Sequence, residues 1–375
     1  MEVWIRQSAP YYHSDDSPTP FPVPGWMWDR ARGERMYAER MEFIRRVDEL
    51  GFDAILFTEH HYGPNGGLMA SPNVLMAAAA AITERIKLAS MGIALALYPH
   101  PVRVAEELAM IDNLSHGRLM AGFISGTPQN LYAYNVPVAE ERERYHEAYS
   151  LIVKAWTEEN PFEWHSEYYD YECVSILPRP LQVPHPPVWT TATSAESIQW
   201  AASEKISFIS HGPTVEAAER LGYYKSYAET QCGWNPGAAN LGIAREFYIG
   251  PTMEQVDAMV NEVFEQDRAH AFTHRRDHTT LHQIDVERAE RRSYDYLTAV
   301  DKPFVGSAAT VEGRRSGQFL VGDPDTLTEE IIAQQKETGA GVLVIRPEMG
   351  SMTLQEVGDG LDLFAREVLP TVQKL

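Results

Sequence analysis

About eight times along the chain, an apolar run of strand length gives way to a segment with helical spacing. This alternation limits the possible folds more than any other feature. The strand-like runs are 3–7, 54–58, 86–97, 118–125, 187–193, 206–210, 242–250 and 341–347. The spacing predicts helices over 33–50, 73–84, 101–115, 139–157, from Ser194, 214–230, 253–270 and 353–370. Strands that alternate strictly with helices form parallel sheets. Continuous apolar runs such as "AILFT" suit strands buried on both faces. Eight units favour a closed (β/α)8 barrel, an α/β TIM barrel, with active-site residues at the C-terminal ends of its strands. Two stretches exceed ordinary connections, at about 158–187 and 271–323, and are read as insertions in a single barrel domain spanning 1–375. The loop 8–32, which carries Tyr11, Tyr12, Phe21, Trp26 and Trp28, follows the first strand and is read either as a pocket wall or as rim packing.

Composition narrows the function. The net charge of −21 repels phosphate backbones and anionic lipids, so nucleic acid and membrane are not expected partners. Two cysteines, Cys173 and Cys232, exclude a disulfide framework and a thiolate zinc site. The N-terminal residues lack a basic segment followed by an apolar one, and no apolar stretch is long enough to span a bilayer, so a cytoplasmic location is expected.

Three constellations carry possible chemistry. In "FDAILFTEHHYGPNGG" a buried strand stops at Glu59, His60 and His61. Neighbouring residues of a strand face opposite ways, so two adjacent histidines chelate one metal poorly and no metal is expected there. Proton transfer and a structural, hydrogen-bonded role both remain open. In "TTATSAESIQWAA" a strand runs into a helix through Thr193, Ser194 and Ser197. Hydroxyls, free N–H groups and helix dipole together suit a phosphate, although a capped helix without a ligand has the same pattern. In "HAFTHRRDHTTLH" the histidines 270, 274, 278 and 282 recur every four residues, as on one helix face. No carboxylate or cysteine motif completes a metal site there. A nucleophile elbow, a Walker A loop and a dinucleotide fingerprint are all absent.

The stretches "GFDAILFTEHH" (51–61), "HPVRVAEELAMIDNLSHGRLMAG" (100–122), "ERERYHEAYSLIVKAW" (141–156), "PRPLQVPHPPVW" (178–189) and "VGDPDTLTEEIIAQQKETGAGVLVIRPEMG" (321–350) resemble, in order, the signatures of the bacterial luciferase-like flavin monooxygenases. The resemblance implies a barrel that binds reduced FMN (FMNH2) delivered by a separate NAD(P)H:flavin reductase. The flavin and O2 would form a C4a-peroxyflavin that inserts one oxygen into a small to medium organic substrate. His60 matches the catalytic histidine, with Glu59 and His61 beside it. Glu106 matches a flavin-site carboxylate. Ala94–Leu95 matches a non-proline cis peptide beneath the isoalloxazine. Thr193, Ser194, Ser197 and Arg142 match phosphate-binding positions, and His211 joins the cofactor-binding set. Ile124 stands where the luciferases have a flavin-adjacent cysteine, which makes light emission an unexpected outcome. The family often pairs barrels near the second and third units, and the Ala-rich helix 73–84 suits a homodimer. Three rival readings stay open: a deazaflavin-dependent oxidoreductase on the same barrel, a non-catalytic flavin-binding barrel, and a metallohydrolase using the histidine stripe.

Overall fold

A computed structural model describes residues 1–11, 22–63, 67–259, 314–348 and 352–375. The strands are β1 (Glu2–Arg6), β2 (Ala54–Phe57), β3 (Lys87–Ser90), β4 (Ile93–Ala94), β5 (Leu119–Ile124), β6 (Phe162–His165), β7 (Asp170–Val174), β8 (Val188–Thr191), β9 (Ser207–Ser210), β10 (Leu241–Ile249), β11 (Phe319–Gly322) and β12 (Val342–Arg346). The main helices are α1 (Arg30–Glu49), α2 (Pro72–Ala80), α3 (Pro101–Leu114), α4 (Pro128–Ala133), α5 (Glu141–Thr157), α6 (Ala195–Ser203), α7 (Thr214–Gln231), α8 (Pro324–Thr338), α9 (Leu354–Glu367) and α10 (Leu369–Val372). Parallel pairing runs β1–β2–β3–β5–β8–β9–β10–β12 and returns to β1, closing an eight-stranded (β/α)8 barrel. The ninth member of the ladder, β11, extends the C-terminal half of the long β10.

The barrel is filled, as side-chain alternation requires. Trp4, Leu56, Met120, Trp189, Ile209 and Val344 belong to the inner cluster. Trp4 and Trp189 meet edge to face, with ring centroids 4.7 Å apart. The intervening residues Ile5, Ile55, Phe57 and Phe208 belong to the larger shell between barrel and helices. Gly242 permits one close approach, because a Cβ there would lie 2.8 Å from Ile209 Cγ1.

Much of the signature stretch 100–122 is scaffold. Buried Asp112 accepts hydrogen bonds from Leu181 N, Gln182 N and Gln182 Nε2, tying α3 to the proline-rich segment before β8. Arg118 donates to the carbonyls of Ala80, Thr83 and Ile86, capping the end of α2. His116 and Gly117 turn the chain between α3 and β5 with positive φ.

The expected strand over 86–97 is broken. The β3–β5 ladder pairs Ala89 with Met120, whereas β4–β5 resumes with Ile93 opposite Phe123, so one extra residue is accommodated on the β3–β4 side. Ser90 fills the gap, because its Oγ accepts from Gly122 N and donates to Gly122 O. A Cβ at Gly122 would lie 1.7 Å from Ser90 O. The stretch 158–187 contains an antiparallel hairpin, β6–β7. The final expected helix divides into α9 and α10, with Pro370 in the first turn of α10. Residues 253–259 begin a helix as expected. Residues 260–313, which include the histidine stripe, lie outside the described residues. Among the described residues no helix is long and apolar enough to cross a membrane.

Candidate active site

The C-terminal end of β2 delivers Glu59, His60 and His61 to the barrel mouth. Carried past Phe57, the alternation sends Glu59 and His60 to opposite sides, and their partners differ accordingly. Glu59 is buried and anchors a network. Its Oε2 accepts from Ala94 N at 2.8 Å, and its Oε1 accepts from Tyr98 OH at 3.0 Å and lies 2.9 Å from His61 Nε2. The other ring nitrogen of His61 is 3.1 Å from Tyr134 OH. Burial and the Glu59 carboxylate push the Tyr98 phenol upward, so it stays protonated and can keep donating. Glu59 and His61 thus fix the backbone of β4 instead of facing the barrel axis.

His60 faces the axis. Burial, the Arg6 guanidinium and His61 lower its imidazole from 6.5 to about 4. It is therefore a neutral ring at pH 7, not one poised between two protonation states as an unperturbed histidine would be. His211, one residue beyond β9, is treated similarly: burial and the Arg6, Arg245 and Arg220 charges bring it down to about 3. Neither ring makes a side-chain hydrogen bond among the described residues.

The cis peptide requires a correction. Among the described residues the non-proline cis bond is Met91–Gly92, not Ala94–Leu95. It falls three residues earlier, where the β3 ladder breaks. A Cβ at Gly92 would lie 2.8 Å from Ile124 Cγ2, so Ile124 packs directly on this peptide. Ala94 remains close, paired with Ile124 in the β4–β5 ladder, while Leu95 opens a buried 3-10 turn.

At the start of α6, Ser194 is the N-cap. Its Oγ accepts from Ser197 N at 3.2 Å and donates to Ser197 Oγ at 2.9 Å. Thr193 is exposed beside it. Arg142 of α5 reaches the same turn, 3.7 Å from Glu196 Oε2. Arg142, Thr193, Ser194 and Ser197 are thus brought together. Glu106 is not drawn into either group, since its carboxylate lies on the flank of α3, 3.9 Å from Arg103.

The structure adds residues that the sequence reading passed over. Arg6 ends β1, Glu246 lies in β10 and Arg346 ends β12. Each occupies an inward position next to the apolar interior, and together they line a cavity of about 40 Å³ with His211. Arg346 pairs with Glu246. The available signal was a charged residue inside each apolar run, in "VWIRQ", "AREF" and "VLVIR". Thr58 Oγ1, one residue past β2, is buried without a hydrogen-bond partner. Among the described residues no group of three His, Cys, Asp or Glu is arranged to hold a metal ion.

A flavin mononucleotide fits this set by its chemistry. Hydroxyls, first-turn N–H groups and Arg142 suit its phosphate, the Met91–Gly92 ledge with Ile124 presents an apolar surface to a flat ring, and Thr58 Oγ1 still lacks a partner.

Residues 22–341 match the family model for luciferase-like monooxygenases. The chain belongs to that family. It is an enzyme, a flavin-dependent monooxygenase. It is 31% identical over 204 residues to the alkanal monooxygenase beta chain of Photorhabdus laumondii, covering 52% of this chain and 60% of that one. It is 26% identical over 242 residues to the oxygenase component of the flavin-dependent trigonelline monooxygenase of Acinetobacter baylyi, covering 63% and 65%. The oxygenating constituent of the 3,6-diketocamphane monooxygenase of Pseudomonas putida, solved with FMN, superposes with a TM-score of 0.74 over 99% of this chain and 98% of that one, at 21% identity. This last likeness concerns the fold.

Proposed function

We propose that this luciferase-like monooxygenase is the oxygenase of a two-component system. It takes reduced FMN from a separate NAD(P)H:flavin reductase and transfers one atom of O2 to a small to medium organic substrate. The observation that carries the reading is the division of the barrel mouth into two arcs. The contiguous strands β3, β5 and β8 lead to Met91–Gly92, Ile124 and the Ser194–Ser197 turn, while β9, β10, β12 and β1 carry His211 and the charged residues. His60 stands on β2, between them.

On this reading Ser194, Ser197, Thr193 and Arg142 hold the phosphate, and Met91–Gly92, Ile124 and Ala94 support the ring. Reduced flavin, when bound, supplies the electrons that activate O2. His60 acts there as a neutral imidazole, accepting a proton or donating its single N–H. Glu59, His61 and Tyr98 hold the ledge in register, and the filled barrel floor keeps bulk water out from below. The support for a reductase partner is that the trigonelline relative is named as an oxygenase component. The chain is proposed to form one barrel domain and to act in the cytoplasm as a homodimer. Val74 of α2 and Met110 and Leu114 of α3, on the second and third units, are exposed apolar residues suited to such an interface.

The test is a titration of the protein with FMN and with a deazaflavin cofactor, followed by tryptophan fluorescence. It is paired with substrate-dependent NADH consumption in the presence of a flavin reductase. FMN should bind more tightly. A preference for the deazaflavin would transfer the chain to the rival oxidoreductase reading. FMN binding with no turnover on any candidate substrate would favour the non-catalytic one.

A further inference from the structure

The protein carries 32 Lys and Arg against 53 Asp and Glu, yet the cavity lined by Arg6, Arg245 and Arg346 is cationic. Two arginines near Arg6 are already matched. Arg346 pairs with Glu246, and Arg40 reaches Glu348 at 2.7 Å. Glu348 is further engaged by Ser8 N at 3.0 Å and Ala9 N at 3.2 Å. These two carboxylates are the ones whose fields favour the Arg6 charge, and neither hydrogen-bonds to it. Arg245 points outward, to Gln334 Oε1 and the carbonyls of Gly212 and Ala244. Arg6 is left over. Its Nε is buried without a partner, and its other nitrogens make no hydrogen bond among the described residues.

The fold has therefore set a guanidinium that has no hydrogen-bonded counter-charge on the wall of a cavity, with its Nε buried. A guanidinium held partly out of water without a paired counter-charge is costly, and removing such a cost is what makes a bound anion favourable. The cavity's ~40 Å³ holds about three water-sized groups. That is room for a carboxylate head, with the rest of a substrate extending from it. The planar guanidinium fork suits the two oxygens of such a head.

We infer that the substrate of this enzyme is an organic anion whose carboxylate, or an equivalent oxyanion, is seated in the β1/β10/β12 cavity against Arg6, with the part to be oxygenated extending towards His60. This rests on the flavin reading above and adds the substrate class. Arg6 is then a specificity-determining residue, and anchoring the anionic end fixes which atom of the substrate meets the flavin arc. His211, neutral and on the same wall, leaves the charge recognition to Arg6. Neutral compounds of the same shape would leave the guanidinium unpaired and be rejected on that account.

The experiment is isothermal titration of the FMN-loaded protein with benzoate and with its neutral isostere benzamide, and with benzenesulfonate to separate carboxylate from other oxyanions. Benzoate should bind at least tenfold more tightly than benzamide. Arg6→Met should abolish that difference, and Arg6→Lys should keep part of it. In both variants FMN affinity should stay within about twofold of the parent, which also shows that they fold. Benzenesulfonate binding as well as benzoate widens the class to oxyanions in general and supports the assignment. Equal affinity for benzoate and benzamide in the parent, or undiminished benzoate preference in Arg6→Met, overturns it. Failure of the parent to bind FMN, read in the separate flavin titration, would sink the flavin reading without touching the anion preference. The anion titration is then run on the flavin-free protein.

Discussion

Removing the Glu59 carboxylate should loosen the ledge that includes Met91–Gly92. Glu59 is a single buried acceptor for Ala94 N, Tyr98 OH and, on the same oxygen, His61 Nε2, at 2.8–3.0 Å. A hydrogen bond to a carboxylate contributes about 1.5–3 kcal/mol, and an orphaned buried donor costs about 1–3 kcal/mol, without strict additivity. Glu59→Ala, which leaves Ala94 N and Tyr98 OH without their acceptor, is therefore expected to cost ~4 kcal/mol. At an unfolding entropy of about 2.1 cal/mol/K per residue, spread over 375 residues, this is a fall in Tm of about 5 °C. Glu59→Gln keeps the shape and one acceptor oxygen, so about half that loss is expected. Differential scanning calorimetry measures the first quantity, and an FMN titration measures the second. With β4 released, FMN affinity should fall at least tenfold in the Ala variant and only a few-fold in the Gln variant. A Tm within about 1 °C of the parent together with unchanged FMN affinity in Glu59→Ala would refute the idea that this carboxylate positions the ledge.

Three further outcomes are expected. Because folding lowers the His60 pKa from 6.5 to about 4, the unfolded chain binds more protons between those values. Its contribution is level above pH ~6.5 and is lost as pH falls towards 4, by about 2 kcal/mol between pH 7 and 5. His211 acts in the same direction. Urea unfolding should register this loss, and a His60→Gln, His211→Gln double variant that keeps the full pH slope would disprove the assignment. The Ser194→Ala, Ser197→Ala double variant should bind FMN about tenfold or more weakly, as loss of charge-assisted hydrogen bonds requires, and equal affinity would remove the phosphate from this turn. Light scattering at micromolar concentration should give a dimer, and charged substitution at Met110 and Leu114 should give a monomer; a monomeric parent ends that proposal.

The barrel was legible because its strands are continuous apolar runs and several helices carry their own start signals, such as Ser71-Pro72 at α2 and Pro101 at α3, whereas β11 and α8, which opens at Asp323-Pro324, are not among the expected elements. The small-scale departures were not. Nothing in the alternation of "IKLASMGIALAL" reveals that Ser90 will substitute for the ladder opposite Gly122, so the alternation predicts one strand where there are two, and the resemblance points to a cis peptide three residues past the observed one. The site was half legible. Glu59, His60 and His61 stand out by their place at a strand's end, but their hydrogen bonds depend on Ala94, Tyr98 and Tyr134, which lie 35 to 73 residues from the groups they bond and reach the cluster only through the fold. Arg6 was visible as a charge in an apolar strand. Its meaning was not, because it depends on Glu246 and Glu348 having been claimed by other arginines.

The central claim is that reduced FMN reacts with O2 at this mouth under the control of His60. Mixing an anaerobic complex of the protein and reduced FMN with O2 in a stopped-flow instrument, and following the return of oxidised-flavin absorbance, tests it most directly. The account predicts that the parent delays this return relative to free reduced FMN. His60→Ala should bind FMN within about threefold of the parent but shorten the delay, with coupled product formation falling about 10²–10⁴-fold, as loss of a proton-transfer group does. A parent that leaves the oxidation of reduced FMN unchanged, or a His60→Ala variant with the parent's delay and product yield, would contradict it.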